Sequence, residues 1–87
     1  MAAVQVYSRD FNFDFFKLPI DIQARPEESI DRLGLLLDRF PHTHLKGMNC
    51  YRLRVGDYRV IYSFDLSKGT LYLLAVGHRR EIYQGYR

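Results

Sequence analysis

A chain of 87 residues has room for one modest core, so it is expected to form a single domain over residues 1–87 with small net stability. Its one cysteine, Cys50, excludes a disulfide framework and a cysteine-rich metal site, and its longest apolar run, near residues 71–76, is far short of a membrane span. The net charge of +3 is unevenly divided: residues 1–45 carry five Lys or Arg against seven acids, and residues 46–87 carry eight against three, which gives the second half a basic footprint suited to a polyanion.

Val4 and Val6 alternate with Gln5 and Tyr7, the pattern of a short first strand. The stretch Met1-Ala-Ala-Val-Gln-Val-Tyr has no basic region followed by a long apolar one, which predicts a cytosolic protein. Phe11, Phe13, Phe15 and Phe16 fit both a two-residue and a helical period; the Leu18-Pro19 break favours a short helix ending at Leu18, with all four rings in the core. From Ile20 onward Ile22, Ile30, Leu33, Leu36 and Leu37 recur at helical spacing, which predicts an amphipathic helix that Pro26 kinks or opens and Pro41 ends. Residues 42–49 are expected to be a polar connection.

Residues 51–55 and 58–64 read as strands joined by Gly56-Asp57, a two-residue loop that demands a tight hairpin. A third strand over residues 70–76 is expected to stop at Gly77. The fold class is α+β, a small antiparallel sheet of the N-terminal strand and a three-stranded C-terminal meander, with two helices on one face. Because side chains alternate along a strand, Tyr51, Leu53 and Val55 turn to the core while Arg52 and Arg54 turn away together. Arg59 follows on the next strand, and Arg79, Arg80 and Tyr83 follow the last. Guanidinium groups gathered in this way suit phosphate.

Two blocks, Leu45-Lys46-Gly47-Met48-Asn49-Cys50-Tyr51-Arg52-Leu53-Arg54-Val55-Gly56-Asp57-Tyr58-Arg59-Val60-Ile61-Tyr62 and Val76-Gly77-His78-Arg79-Arg80-Glu81-Ile82-Tyr83, resemble the RelE/ParE superfamily of type II toxins. The RelE branch cleaves messenger RNA, usually on the ribosome, so the resemblance implies a metal-independent endoribonuclease with no cofactor. It also implies a cognate acidic antitoxin as partner. Carried over residue by residue, it assigns catalysis to Arg54, Arg59, Arg79 and Tyr83, and RNA contacts to Lys46, Arg52, His78 and Arg80. Some relatives have Lys where this chain has Arg52 and Arg54, and arginine is a poor general base. Tyr83 and His78 are therefore the titratable candidates. Two other readings stand beside this one: a ParE-like, non-enzymatic inhibitor of DNA gyrase, and an inactive RNA-binding relic. His42 and His44 have a spacing that can hold a metal but lack further ligands around them, and Cys50 reads as a small core residue.

Overall fold

The computed structural model describes residues 2–82. Chain order is β1 (Val4–Tyr7), α1 (Arg9–Lys17), α2 (Ile20–Leu35), β2 (Thr43–His44), β3 (Tyr51–Val55), β4 (Tyr58–Asp65) and β5 (Thr70–His78). The strands form one sheet in the order β1-β5-β4-β3-β2, so the α+β class holds. The sheet is mixed, however, because β1 lies parallel to β5, with Val4 opposite Thr70 and Tyr7 opposite Leu73. Parallel neighbours need a long crossover, and here α1 and α2 supply the start of it across one face. The expected polar connection also contributes a short fifth strand, pairing Thr43 with Arg52 and His44 with Tyr51.

Ser8 starts α1 by accepting the Phe11 N–H on its side-chain oxygen at 3.0 Å, and its hydroxyl donates to the Leu74 carbonyl at 2.9 Å. One residue thus caps the helix and fastens it to β5. Of the four phenylalanines expected in the core, the helical period buries only Phe11 and Phe15; Phe13 and Phe16 are 65 % and 72 % exposed. Pro26 lies inside α2 and withholds an N–H from the turn before it, yet the helix continues to Leu35, ending before Pro41 as Leu36 leaves helical geometry. Ile30 and Leu33 of α2 join Phe11 and Phe15 over Val60, Tyr62, Leu71 and Leu73 to form the main core.

Gly56 opens the β3–β4 turn at φ 59°, and among the described residues no side-chain-bearing residue has positive φ. A positive φ at the first loop position alone is the pattern that matches strand twist in the glycine-first hairpin. Gly56→Ala is expected to cost about 1 to 2 kcal/mol in a urea titration, since an L side chain is penalised by about that much in the left-handed region. The Arg25 guanidinium, 3.2 Å from where the new Cβ would lie, is a flexible neighbour that can withdraw.

Along β5 the pairing shifts between Ile61 and Tyr62: Ile61 faces Ala75 while Tyr62 faces Leu73, leaving Leu74 as an extra residue. The bulge reverses the alternation. Leu71 and Leu73 face the helices before it, Val76 faces them after it, and Ala75 and Gly77 turn to the opposite side. The strand does not stop at Gly77 as expected, because Arg59 and Tyr58 still pair with Gly77 and His78. On the side away from the helices, Leu45, Cys50, Ile61, Ala75 and Ile82 form a second, smaller apolar cluster. Among the described residues no helix is long and apolar enough to cross a membrane.

Candidate functional site

Directly opposed residues in antiparallel strands share a face, so the register alone builds the site. One row across the sheet runs Thr43, Arg52, Ile61, Ala75, and the next runs Arg54, Arg59, Gly77. Both rows point away from the helices. With Arg79 and Arg80 from the segment after β5, Thr43, Arg52, Arg54 and Arg59 line an open groove of about 570 Å³. Arg54 and Arg59 are direct cross-strand partners, a like-charge pairing that opposes folding.

Arg59 is the anchored member of the group. It is 6 % exposed, and its Nη1 donates to the Gly56 carbonyl at 2.7 Å and the Tyr58 carbonyl at 2.8 Å. The hairpin therefore holds the guanidinium through its own backbone. Opposite Arg59, Gly77 presents no side chain, and a Cβ there would lie 3.3 Å from Ile82 Cδ1. Arg79 is positioned by its backbone N–H, which donates to the Asp57 carbonyl at 2.8 Å, while its Nε lies 3.9 Å from Asp57 Oδ1. Both side chains of that pair are largely open to solvent, at 49 % and 71 % exposed, and such a contact contributes ~0 to 1 kcal/mol. Among the described residues, Arg52, Arg54, Arg59 and Arg80 have no carboxylate within 4.0 Å.

The groove brings together five of the eight residues singled out from sequence: Arg52, Arg54, Arg59, Arg79 and Arg80. Lys46 lies exposed in the turn between β2 and β3, outside the groove lining. His78 does not line the groove. With Gly77 turned to the groove, the next residue turns to the helices, and His78 stands edge-on to Tyr58 at 5.7 Å in a different hollow that Lys17 and Glu81 also line. Its Nδ1 accepts from the Arg80 backbone N–H at 3.3 Å, so the ring abuts the arginine segment without lining the groove. Tyr83 lies outside the described residues. Thr43 was not singled out, because two residues of strand within a polar stretch carry too little alternation to be read.

The histidine pair does not converge on a cation. His42 Nδ1 is 2.7 Å from the Tyr62 hydroxyl and Nε2 is 2.8 Å from the Leu37 carbonyl. A carbonyl only accepts, so in the neutral ring Nε2 carries the hydrogen and Nδ1 accepts from Tyr62. Burial, with a smaller contribution from Tyr51, pushes the Tyr62 phenol upward and keeps it a donor. Among the described residues no three His, Cys, Asp or Glu side chains group as metal ligands. The groove lining itself offers guanidinium and hydroxyl groups, which repel or barely hold a cation.

A small α+β domain with a basic groove on the face of its sheet away from the helices is thus what fold and site define. A family model, that of the ParE toxin of the type II toxin-antitoxin system parDE, matches residues 6–83, and the chain belongs to this family, within the RelE/ParE superfamily of type II toxins. Solved structures similar to it include RelE toxins. The Mycobacterium tuberculosis RelBE2 complex aligns at TM-score 0.79 with 24 % identity, covering 93 % of this chain and 95 % of that one. The isolated Escherichia coli RelE toxin aligns at 0.74 with 21 % identity, covering 97 % and 94 %. The RelE-RelB complex of Pyrococcus horikoshii aligns at 0.72 with 26 % identity, covering 93 % and 99 %. A comparison with curated protein sequences finds no match.

Proposed function

We propose that this toxin is an endoribonuclease that cleaves messenger RNA on the ribosome by attack of a ribose 2′-hydroxyl on the adjacent phosphorus. The products are a 2′,3′-cyclic phosphate and a 5′-hydroxyl, so DNA, lacking the nucleophile, is not a substrate. The observation that carries this reading is a groove lined by five arginines, four of them without a carboxylate within 4.0 Å among the described residues. As the phosphorane forms, charge grows on its non-bridging oxygens, and Arg54 and Arg59 are assigned to stabilise it. The anchoring of Arg59 by two carbonyls favours that role, since a fixed donor needs no reorganisation during reaction. Arg79 neutralises the leaving 5′-oxygen, and Arg52, Arg80 and the outlying Lys46 hold neighbouring phosphates. Tyr83 either stacks on a base or acts on a proton.

The described groove lining consists of arginines and Thr43, which are poor general bases, so the reaction is assigned mainly to electrostatic stabilisation and alignment. Orientation of the message by the ribosome supplies the latter, and in-line positioning is worth roughly 7 to 11 kcal/mol. No metal ion or cofactor takes part in the proposed step. The partner is a cognate acidic antitoxin, in keeping with the RelE-RelB complexes among the similar structures, and it covers the basic groove in the cytosol until it is removed.

Primer extension on messages bound to purified ribosomes tests the proposal. Reverse-transcription stops at new 5′ ends are expected when the toxin is added, and intact messages would overturn it. The ParE family match supports a second reading, non-enzymatic inhibition of gyrase, which predicts loss of supercoiling in a purified gyrase assay. Phosphate binding also has a salt signature. With the scissile phosphate and one phosphate each at Arg52, Arg80 and Lys46 engaged on a single strand, the logarithm of affinity is expected to fall with the logarithm of salt at a slope of about −2.8. Arg80→Ala is expected to reduce that slope by about 0.7 in the same titration.

A further inference from the structure

At the β2 end of the sheet, on the face opposite the arginine groove, four rings form a pile. The His42 ring lies 4.1 Å from that of Phe64, Phe64 lies 4.9 Å from Tyr51, and Tyr51 lies 4.3 Å from His44 at an interplanar angle of 5°. The inner end is tied down by the two hydrogen bonds of His42. The outer end, His44, is exposed. A flat ring held parallel to a supported neighbour and open to solvent on its other side has the shape of a stacking platform.

Its position gives the platform a ligand class. Thr43 and His44 are consecutive residues, about 3.8 Å apart at Cα. Their partners are Arg52 and Tyr51, so the first belongs to the groove and the second to the pile. Among the described residues nothing further pairs with the outer side of β2, which is the last strand in the sheet order. A chain leaving the groove past Thr43 therefore meets the edge of the sheet with the His44 ring immediately beyond it. A positively charged track followed by an exposed aromatic ring is the combination that single-stranded nucleic acid uses, the track for phosphates and the ring for a base.

We propose that His44, backed by Tyr51, is a stacking subsite for an unpaired nucleobase of the RNA whose phosphates occupy the arginine groove. The subsite rests on the RNA reading of that groove and extends it across the sheet edge. It takes any base, since every base offers a π face, and it adds affinity and register without touching the scissile phosphate. The base comes from the bound message or from ribosomal RNA beside it.

A short 2′-O-methyl oligoribonucleotide, which cannot be cleaved, tests this when it carries the fluorescent base 2-aminopurine. Binding to the full chain is expected to quench the fluorophore. His44→Ala is expected to weaken binding roughly 5- to 150-fold and abolish the quenching, while His44→Phe retains both. An otherwise identical oligonucleotide with an abasic site in place of the fluorophore is expected to bind wild type and His44→Ala equally. Thermal melting of each variant separates loss of the platform from loss of the fold. A defect of His44→Ala confined to binding of vacant ribosomes supports the platform with ribosomal RNA as the source of the base. Equal affinity and quenching on the oligonucleotide together with equal binding to vacant ribosomes, for wild type and a folded His44→Ala with salt-dependent binding preserved, overturns the subsite and leaves the RNA reading intact. Absence of wild-type binding to both oligonucleotide and ribosome overturns both.

Discussion

Arg59→Leu is expected to abolish message cleavage on ribosomes, and Arg59→Lys to leave only a small residue of it. Loss of a single preorganised donor to a developing oxyanion typically reduces turnover by about 100- to 1000-fold. Lysine keeps the charge but replaces a planar fork with a point donor that cannot serve the hairpin carbonyls and a phosphate in the same geometry. Because Arg59 donates to the Gly56 and Tyr58 carbonyls, the leucine variant also leaves the turn less firmly held. Circular dichroism and antitoxin capture should still report a folded protein, since loss of an ordinary hydrogen bond costs about 0.5 to 1.5 kcal/mol. Cleavage by a folded Arg59→Leu at the wild-type rate would remove Arg59 from the mechanism. Arg80, in an exposed turn, should matter much less to the chemical step.

The second large effect is on folding. Phe11→Ala is expected to lower stability by about 3 to 5 kcal/mol in urea denaturation, because the ring is 2 % exposed and packs between Tyr7 and Phe15 at centroid distances of 5.3 and 5.8 Å. A domain of this length has a total stability of about 4 to 13 kcal/mol, so this one truncation removes a quarter or more of it. Phe16→Ala, on the exposed side of the same helix, should stay within about 0.5 kcal/mol of wild type. Equal losses at the two positions would mean that the ring contacts of Phe11 are not what stabilises the helix on the sheet.

Sequence reasoning reached the meander because its signals are local. Gly56-Asp57 fixes a two-residue turn, and Tyr51, Leu53 and Val55 alternate cleanly with two arginines, so the faces of β3 follow from the period alone. The convergence of Arg52, Arg54, Arg59, Arg79 and Arg80 on one groove was likewise within reach, being largely a matter of register. What escaped depended on distant contacts. The parallel pairing of β1 is decided by where two helices deliver the chain, and β2 exists only because β3 offers a free edge. Phe13 and Phe16 were misplaced because a helix of nine residues with four aromatics satisfies two periods at once. His78 was put among the arginines because it adjoins Arg79 in sequence, and nothing in the sequence announced the extra residue that sends its side chain to the other side.

That extra residue, Leu74, divides the labour of a single strand. Upstream of it β5 answers to the helices through Leu71 and Leu73; downstream, Gly77 answers to the groove and is followed by the arginines. The Ser8 hydroxyl clasps the carbonyl at the junction, so the start of α1 is mechanically joined to the point where the strand changes allegiance. Substitutions in the arginine segment that follows β5 can therefore retune the charged surface, whereas Val76, beyond the junction but turned to the helices, still belongs to the scaffold.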